Sequence, residues 1–198
     1  MIPRTLVVTT ALLFAVAIGM GIYVAQLRRR ADIASPRTLQ AEHVKPPAAG
    51  PAENVTVWVA RDDDGRLHAQ SLTVPLSSER QPRADDLLRA LLNIYQSKDS
   101  PHRVGAGAEI REVYLVDPGL AVIDLNAAFA DGQTSGILAE DLTLVSIVQT
   151  LSNNIPGINR VKFLVDGKER DTLAGHADLS GFYAVSSIGA LAKQLSEE

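Results

Sequence analysis

The sequence predicts an α+β (mixed α/β) fold: a small sheet of four to six strands with two main helices packed on it, preceded by one transmembrane helix. Three observations lead to this prediction. Two β-type runs flank the turn Asp117-Pro118-Gly119, a long apolar helix follows them, and a further strand ends at Asp166-Gly167. An uncharged stretch near the start of the chain accounts for the transmembrane helix.

The central hairpin is predicted from Glu112–Val116 and Leu120–Leu125, which are rich in β-branched and aromatic residues. The Pro-Gly turn between the two runs favours antiparallel pairing. Because side chains alternate along a strand, Val113 lies on one face of the first strand, and Tyr114 and Val116 lie on the other. Both faces are apolar, which predicts a central strand that is covered on both sides.

Two helices are predicted. The first covers Ala84–Tyr95, and the second begins near Leu138 or Ala139 and ends before Asn153-Asn154. Both have acidic residues in the first turn, where the helix dipole favours anions. The second helix is apolar over so much of its circumference that we expect it to be buried against the sheet.

A first hairpin is predicted from Val55–Ala60 and His68–Val74, with three aspartates and a glycine in the turn between them. Three acids beside a glycine are also found in calcium loops. An EF-hand loop, however, needs acids at alternate positions and a glutamate at its twelfth position, where this chain has Thr73. A solvated hairpin turn is therefore the better interpretation.

The remaining segments of the folded part are shorter. Ala127–Phe129 is predicted to form one helical turn, Arg160–Val165 a strand, and Ser186–Leu195 a short amphipathic helix. Ser97–Ala108 is the longest irregular segment of the domain. It is therefore a candidate contact surface, and the alternative is an ordinary connector.

The stretch Thr5–Leu27 contains no charged residue. At about 1.5 Å per residue it spans about 34 Å, enough for a hydrocarbon core of about 30 Å. Arg28, Arg29 and Arg30 follow directly, and no good cleavage site precedes them, which favours an uncleaved anchor over a signal peptide. The predicted organisation is an anchor with its basic flank at 1–30, a Pro-containing linker at 31–53, a folded domain at 54–185, and a tail or short helix at 186–198.

Composition narrows the chemistry. The 198 residues have a formal net charge of −4, which does not suggest nucleic acid, and they include no cysteine, which excludes disulfides, thiolate metal sites and a lipid-modified cysteine. The sequence has no G-x-S-x-G motif, no glycine-rich phosphate loop and no pair of histidines at the i, i+4 spacing of a zinc helix. We therefore predict no catalytic, cofactor-binding or metal-binding residues and no enzymatic activity. The four histidines lie far apart, at His43, His68, His102 and His176.

A set of motifs gives a more specific assignment. A strand ending in V-x-D-L-[S/N], an acidic-led helix ending in Q/N-T-L, a Pro-containing turn, V-x-F-L-V/I-D-G and G-H-x-D-L-S together resemble the GerMN domain family. The matching residues are Val122–Asn126, Glu140–Leu151, Val161–Gly167 and Gly175–Ser180. The resemblance covers roughly Val55–Val185, which is the size of one domain.

The resemblance implies a single GerMN-like domain with no known reaction. It departs from the family pattern at Asn126, where serine is usual, and at Leu91–Ser100, which lacks the family's Leu-x-x-Gly-Pro. We predict a membrane-anchored, non-catalytic protein interaction or assembly module of the bacterial cell envelope. Envelope protein partners are expected, self-association is left open, and the family's namesake suggests sporulation or germination as the process.

The orientation in the membrane receives two conflicting predictions. The positive-inside rule, applied to Arg28–Arg30, would place the folded domain in the cytoplasm. The resemblance implies the opposite, because domains of this family are usually extracytoplasmic and tethered by an N-terminal anchor or lipid. We follow the resemblance and predict a single-pass protein of the cytoplasmic membrane with its C-terminal domain outside.

One alternative function is binding of a small envelope ligand such as a peptidoglycan fragment. It predicts a concave pocket lined by aromatic residues, for which Trp58, Tyr95 and Tyr114 are available. An assembly module predicts instead an exposed apolar patch or an exposed sheet edge.

A second alternative is a hydrolase of unfamiliar type. It predicts that His176, the histidine of the G-H-x-D-L-S motif, meets Asp124 or Asp178 in an open cleft. The simpler interpretation is that these polar side chains satisfy backbone groups of turns and strand ends.

Overall fold

The structure, a computed structural model, describes residues 50–116 and 118–196. The predicted transmembrane helix and nearly all of the predicted linker lie outside this part. Among the residues that the structure describes, no helix combines the length and the apolar character needed to cross a membrane.

The described residues form two sheets and four helices, which confirms the mixed α+β class. The strands are divided between a two-stranded sheet, β1–β2, and a four-stranded sheet in the order β3-β4-β5-β6, where one small sheet was predicted. In chain order the elements are β1 (Ala52–Arg61), β2 (Arg66–Pro75), α1 (Arg80–Tyr95), β3 (Ile110–Val116), β4 (Leu120–Leu125), α2 (Ala127–Gly132), α3 (Ile137–Asn154), β5 (Arg160–Val165), β6 (Tyr183–Ala184) and α4 (Val185–Ser196).

The four-stranded sheet mixes both pairing directions. β3 and β4 form the predicted antiparallel hairpin, and Gly119 in its turn has a φ of 82°, as the turn requires. β4 and β5 are parallel, so the chain crosses over between them through α2 and α3. β6 pairs antiparallel with β5 over two residues.

The prediction that β3 is a central strand covered on both sides is wrong. β3 lies at the edge of its sheet, and its Tyr114 and Val116 side chains are each 47% exposed. Its other face is buried, because Val113 faces the core together with Ile123 and Phe163 of the neighbouring strands. The two apolar faces of this strand therefore have different environments.

The outer edge of β1 is closed by polar side chains of α3. The Trp58 N–H donates to the Thr150 hydroxyl at 2.8 Å, and the Ser146 hydroxyl donates to the Trp58 carbonyl at 2.6 Å. One turn further along, the Asn154 amide donates to the Thr56 carbonyl at 2.8 Å. The three helix residues are four apart and share one face, so α3 takes the place of a neighbouring strand.

The outer edge of β3 is closed in the same way by α1. The Gln81 amide donates to the Val113 carbonyl at 2.6 Å and accepts from the Leu115 N–H at 2.9 Å. The Asp85 carboxylate accepts from the Val113 N–H at 2.9 Å. Burial of this carboxylate and, next, the negative charge of Glu112 raise the pKa of Asp85 to about 6.

Removing one hydroxyl from the β1–α3 seam should cost stability. Ser146 is fully buried and also lies 2.5 Å from the Tyr95 hydroxyl, so Ser146→Ala leaves the Trp58 carbonyl without its donor. We expect the free energy of unfolding to fall by about 1–3 kcal/mol in urea denaturation. The matched control is Ser152→Ala on the same helix, where a change within about 0.5 kcal/mol is expected. Equal losses in the two variants would contradict this account of the seam.

Candidate functional site

Glu140 is a fully buried carboxylate in the first turn of α3. It binds the loop that carries the G-H-x-D-L-S motif. One oxygen, Oε2, accepts hydrogen bonds of 2.8 to 3.1 Å from three successive donors of that loop, the backbone N–H groups of Ala174, His176 and Ala177. The other oxygen, Oε1, lies 2.8 Å from Nδ1 of the His176 ring.

These hydrogen bonds decide the charge of Glu140. Burial alone would raise the pKa of this carboxyl. The bonds from the Ala177 N–H and the His176 ring, followed by those from the His176 and Ala174 N–H groups, outweigh burial and lower the pKa to about 2. Glu140 is therefore ionised at neutral pH, and the loop is held on a buried negative charge.

The His176 ring is the part of this cluster that meets solvent, with its side chain 43% exposed. An ionised carboxylate can only accept, so Nδ1 carries the proton and donates to Glu140. The Ser135 hydroxyl lies 3.4 Å from the same Nδ1 and donates to the Ala174 carbonyl at 3.1 Å. A nucleophile–base–acid triad needs the two ring nitrogens on opposite partners, so these three residues are not arranged as one.

The three residues considered for a hydrolase have separate partners. Asp124 accepts from the Gly167 N–H at 2.7 Å, and Asp178 accepts from the N–H and hydroxyl of Ser180 at 2.7 and 2.6 Å. Within residues 118–196, no hydrogen bond or ion pair joins any two of His176, Asp124 and Asp178. The structure therefore does not bring this trio together.

The Asp124 bond holds the turn that follows β5. Asp166 has a φ of 51° and Gly167 a φ of 72°, as a tight Asp-Gly turn requires. Arg111 lies 3.2 Å from the Asp166 carboxylate and 3.6 Å from that of Asp124. The predicted turn is present, but the strand expected after it is reduced to a single bridge between Val165 and Lys168.

Lys162 on β5 holds the other end of the motif loop. Only 5% of this residue is exposed, and its ammonium donates to the carbonyls of Leu179 at 3.1 Å and Ser180 at 2.5 Å. It also lies 3.4 Å from the Glu169 carboxylate. The sequence analysis assigned no role to this lysine, because alternation along β5 cannot show that a loop covers it.

The four-stranded sheet has one face that the described residues leave open. Strand register places Tyr114 beside Val122 and Val116 beside Leu120, which in turn neighbours Arg160. Phe182 extends this surface, because its ring lies 5.5 Å from the Arg160 guanidinium. We call the set the outer face; it consists of Tyr114, Val116, Leu120, Val122, Arg160 and Phe182.

The outer face concentrates exposed apolar side chains. Of the five large apolar residues that are exposed in the described ranges, three lie on it: Tyr114 at 47%, Val116 at 47% and Phe182 at 57%. The other two, Ile137 and Leu138, are adjacent at the start of α3. An apolar cluster of this kind on a sheet face is typical of an interaction surface.

The loop predicted as a contact surface lines a cleft of about 510 Å³. Its walls are residues 95–98, 100 and 103–107, and Tyr95 is the aromatic member. Only 3% of Tyr95 is exposed, and Trp58 and Tyr114 lie elsewhere. The concave aromatic pocket expected for a small envelope ligand is therefore not formed by these three residues.

The three aspartates between β1 and β2 occupy a turn, which confirms the hairpin prediction. Each carboxylate has its own cationic or histidine partner. In residues 50–116 and 118–196, no group of three or more His, Cys, Asp or Glu side chains is placed to hold a metal ion. The three pairs are Asp62 with His102 at 2.6 Å, Asp63 with Arg61 at 2.8 Å and Asp64 with His68 at 2.7 Å.

Comparison with known families decides the assignment. A family model described as "Germane: Sporulation and spore germination" matches residues 56–171, which is more than half of the 198 residues. The chain belongs to the Germane family. None of the curated proteins compared with it matches.

Solved structures place this Germane domain in the same fold group. The tandem GerMN domains of the sporulation protein GerM from Bacillus subtilis match with a TM-score of 0.51 and 19% identity, over 69% of this chain and 47% of that protein. The first GerMN domain of the same protein matches with a TM-score of 0.49 and 19% identity, over 64% of this chain and 92% of that one. The chain thus spans about half of the tandem protein.

In this Germane domain the motif residues hold turns and loops together. Glu140 anchors the loop that contains His176, and Asp124 anchors the Asp-Gly turn. Asn126, the departure from the family pattern, caps α2 by accepting from the Phe129 N–H at 2.8 Å, and its amide donates to the Gly107 carbonyl at 2.8 Å. Each of these polar groups has a structural partner.

The buried charge of Glu140 predicts a pH dependence of stability. Because its pKa is lowered from 4.5 to about 2, the folded chain binds fewer protons than the unfolded chain in that range. Its stabilising contribution is complete above about pH 4.5 and is lost as the pH falls towards 2. We expect Glu140→Gln to lower the free energy of unfolding at pH 7 by about 2–3 kcal/mol, with a deficit that narrows below pH 4.5.

The control for this experiment is Glu169→Gln, because the Glu169 side chain is 78% exposed. It should change the free energy of unfolding by less than about 0.5 kcal/mol. A Glu140→Gln deficit that stays constant from pH 7 to pH 2 would show that the carboxylate charge is not what holds the loop.

Proposed function

We propose that this Germane domain is a non-catalytic protein interaction module of the bacterial cell envelope, and that it binds its partner through the outer face. The carrying observation is the cluster of Tyr114, Val116 and Phe182, which are half-exposed on one side of a sheet whose other side is core. A protein partner would remove this apolar area from water.

The polar chemistry of the domain supports a non-catalytic role. The carboxylates of Glu140 and Asp124 are committed to backbone N–H groups, and the Lys162 ammonium is committed to two carbonyls. A catalytic group needs a free position towards a substrate. The exposed His176 ring offers one free nitrogen, and the Ser135 hydroxyl beside it donates elsewhere.

The envelope location and the membrane anchor are parts of the same proposal. The uncharged stretch Thr5–Leu27 supports an anchor, and the family description supports a role in sporulation or spore germination. A flat face with two exposed aromatic residues, Tyr114 and Phe182, also favours one rival ligand, a glycan strand of peptidoglycan stacked on the rings.

The first test is the topology of the full chain. A reporter that is active only outside the cytoplasm, fused after Glu198, should be active if residues 5–27 anchor the chain with its domain outside. A second reporter that is active only in the cytoplasm, fused at the same place, should be silent. The reverse pattern would follow the charges of Arg28–Arg30 and would end the envelope proposal.

The second test examines the outer face directly. A photoreactive phenylalanine in place of Tyr114 should form one discrete adduct with a partner protein in the native cell. The same group in place of Ile137, which is 68% exposed on another surface, should not form that adduct.

The adduct should disappear when Val116→Asp is added, because a charge then faces the apolar contact. Val116→Asp should leave the melting temperature close to that of the unmodified chain, since its side chain is half-exposed. Identical adducts from positions 114 and 137 would reject the outer face as the contact. Stacking on a purified glycan that is lost in Tyr114→Ala and Phe182→Ala would select the rival ligand.

A further inference from the structure

The outer edge of β2 differs from the other sheet edges of the described part. α3 closes β1, α1 closes β3, and β6 is only two residues long. β2 runs for ten residues, Arg66–Pro75, and no backbone hydrogen bond within residues 50–116 and 118–196 closes its side away from β1. A long open edge is a template for a further strand.

The contacts of β1 show which groups of β2 face that open edge. Both the N–H and the C=O of Trp58 point towards α3 and hence away from β2. Residues that lie opposite each other in an antiparallel pair share this orientation. Ala69 lies opposite Trp58 and Ser71 opposite Thr56, so both direct their backbone groups outwards, whereas Gln70 between them bonds to β1.

The edge also lacks the features that keep sheet edges apart. Its pairing with β1 is regular, and the segment Leu67–Val74 contains no lysine, proline, arginine or carboxylate. Natural edges are usually guarded by such residues or by a bulge. Only His68 in this segment can carry a charge.

We propose that the open edge of β2 pairs with the same edge of a second copy of this chain, as a symmetric antiparallel dimer. Outward-facing residues must meet outward-facing residues, which the twofold register with Gln70 opposite Gln70 achieves: Ala69 then lies opposite Ser71. No like charges are opposed in this register, because the paired segments are uncharged apart from His68.

An apolar groove beside the strand supports a self-complementary contact. It measures about 300 Å³, and Leu72 and Val74 of β2 line it together with Ile94 of α1. Both β2 residues are only partly buried within one chain. A second β2 strand covers this groove on both copies at once, as a twofold interface requires.

The absence of native cysteine makes a single-cysteine test clean. Gln70 directs its backbone away from the new interface, so across the dimer axis it forms a non-hydrogen-bonded pair with its Cα atoms about 4.5 Å apart. That separation suits a disulfide. Purified full chain carrying Gln70→Cys, oxidised with copper phenanthroline at low concentration, should form a disulfide dimer at least tenfold faster than Tyr114→Cys, the exposed control on the outer face.

A second substitution separates pairing from chance collision. Ser71→Pro removes an N–H that faces the open edge and leaves the β1–β2 ladder bonds in place. Added to Gln70→Cys, it should reduce the crosslinking rate at least tenfold, with circular dichroism confirming that the domain is folded. Equal rates for Gln70→Cys and Tyr114→Cys, or no loss with Ser71→Pro in a folded chain, would overturn the proposed dimer. Either result leaves the outer face untouched as a contact for another protein.

Discussion

The structure depends on how a helix replaces a strand. Backbone groups at a buried sheet edge need hydrogen-bond partners, because an unpaired buried N–H or C=O costs about as much as a lost hydrogen bond. β1 finds these partners in Ser146, Thr150 and Asn154, which form one stripe along α3. The stripe positions α3 against the two-stranded sheet, and the loop that leads into α3 positions Glu140.

The family motifs follow from the same requirement. Once α3 is placed, its first turn presents a buried carboxylate to the motif loop, and three N–H groups converge on it. Asp124 does the same for the Asp-Gly turn, and Lys162 satisfies two carbonyls at the loop's far end. The polar residues that make the family recognisable therefore build the scaffold. The surface left for a partner is apolar and lies on the opposite side of the sheet.

The open outer face and the open edge of β2 show where sequence patterns are ambiguous. Apolar residues on both sides of β3 suggested a strand covered twice, yet Tyr114 and Val116 are half-exposed. Alternation reports that a face is apolar and does not report what covers it. In the same way, helical spacing identified α3 as buried, but the serine and threonine within its stripe gave no sign that they would close a sheet edge.

The sequence by itself determined the α+β class, the two main helices, the hairpins, the Asp-Gly turn and the family, because these depend on local periodicity, turn chemistry and motifs. Only the tertiary structure decided that the strands form two sheets, that β3 is an edge, that His176 meets Glu140, and that Lys162 is covered. The physical reason is distance along the chain. Trp58 and Thr150, or Glu140 and Ala177, meet only after folding, and no local pattern in the sequence records such a pairing.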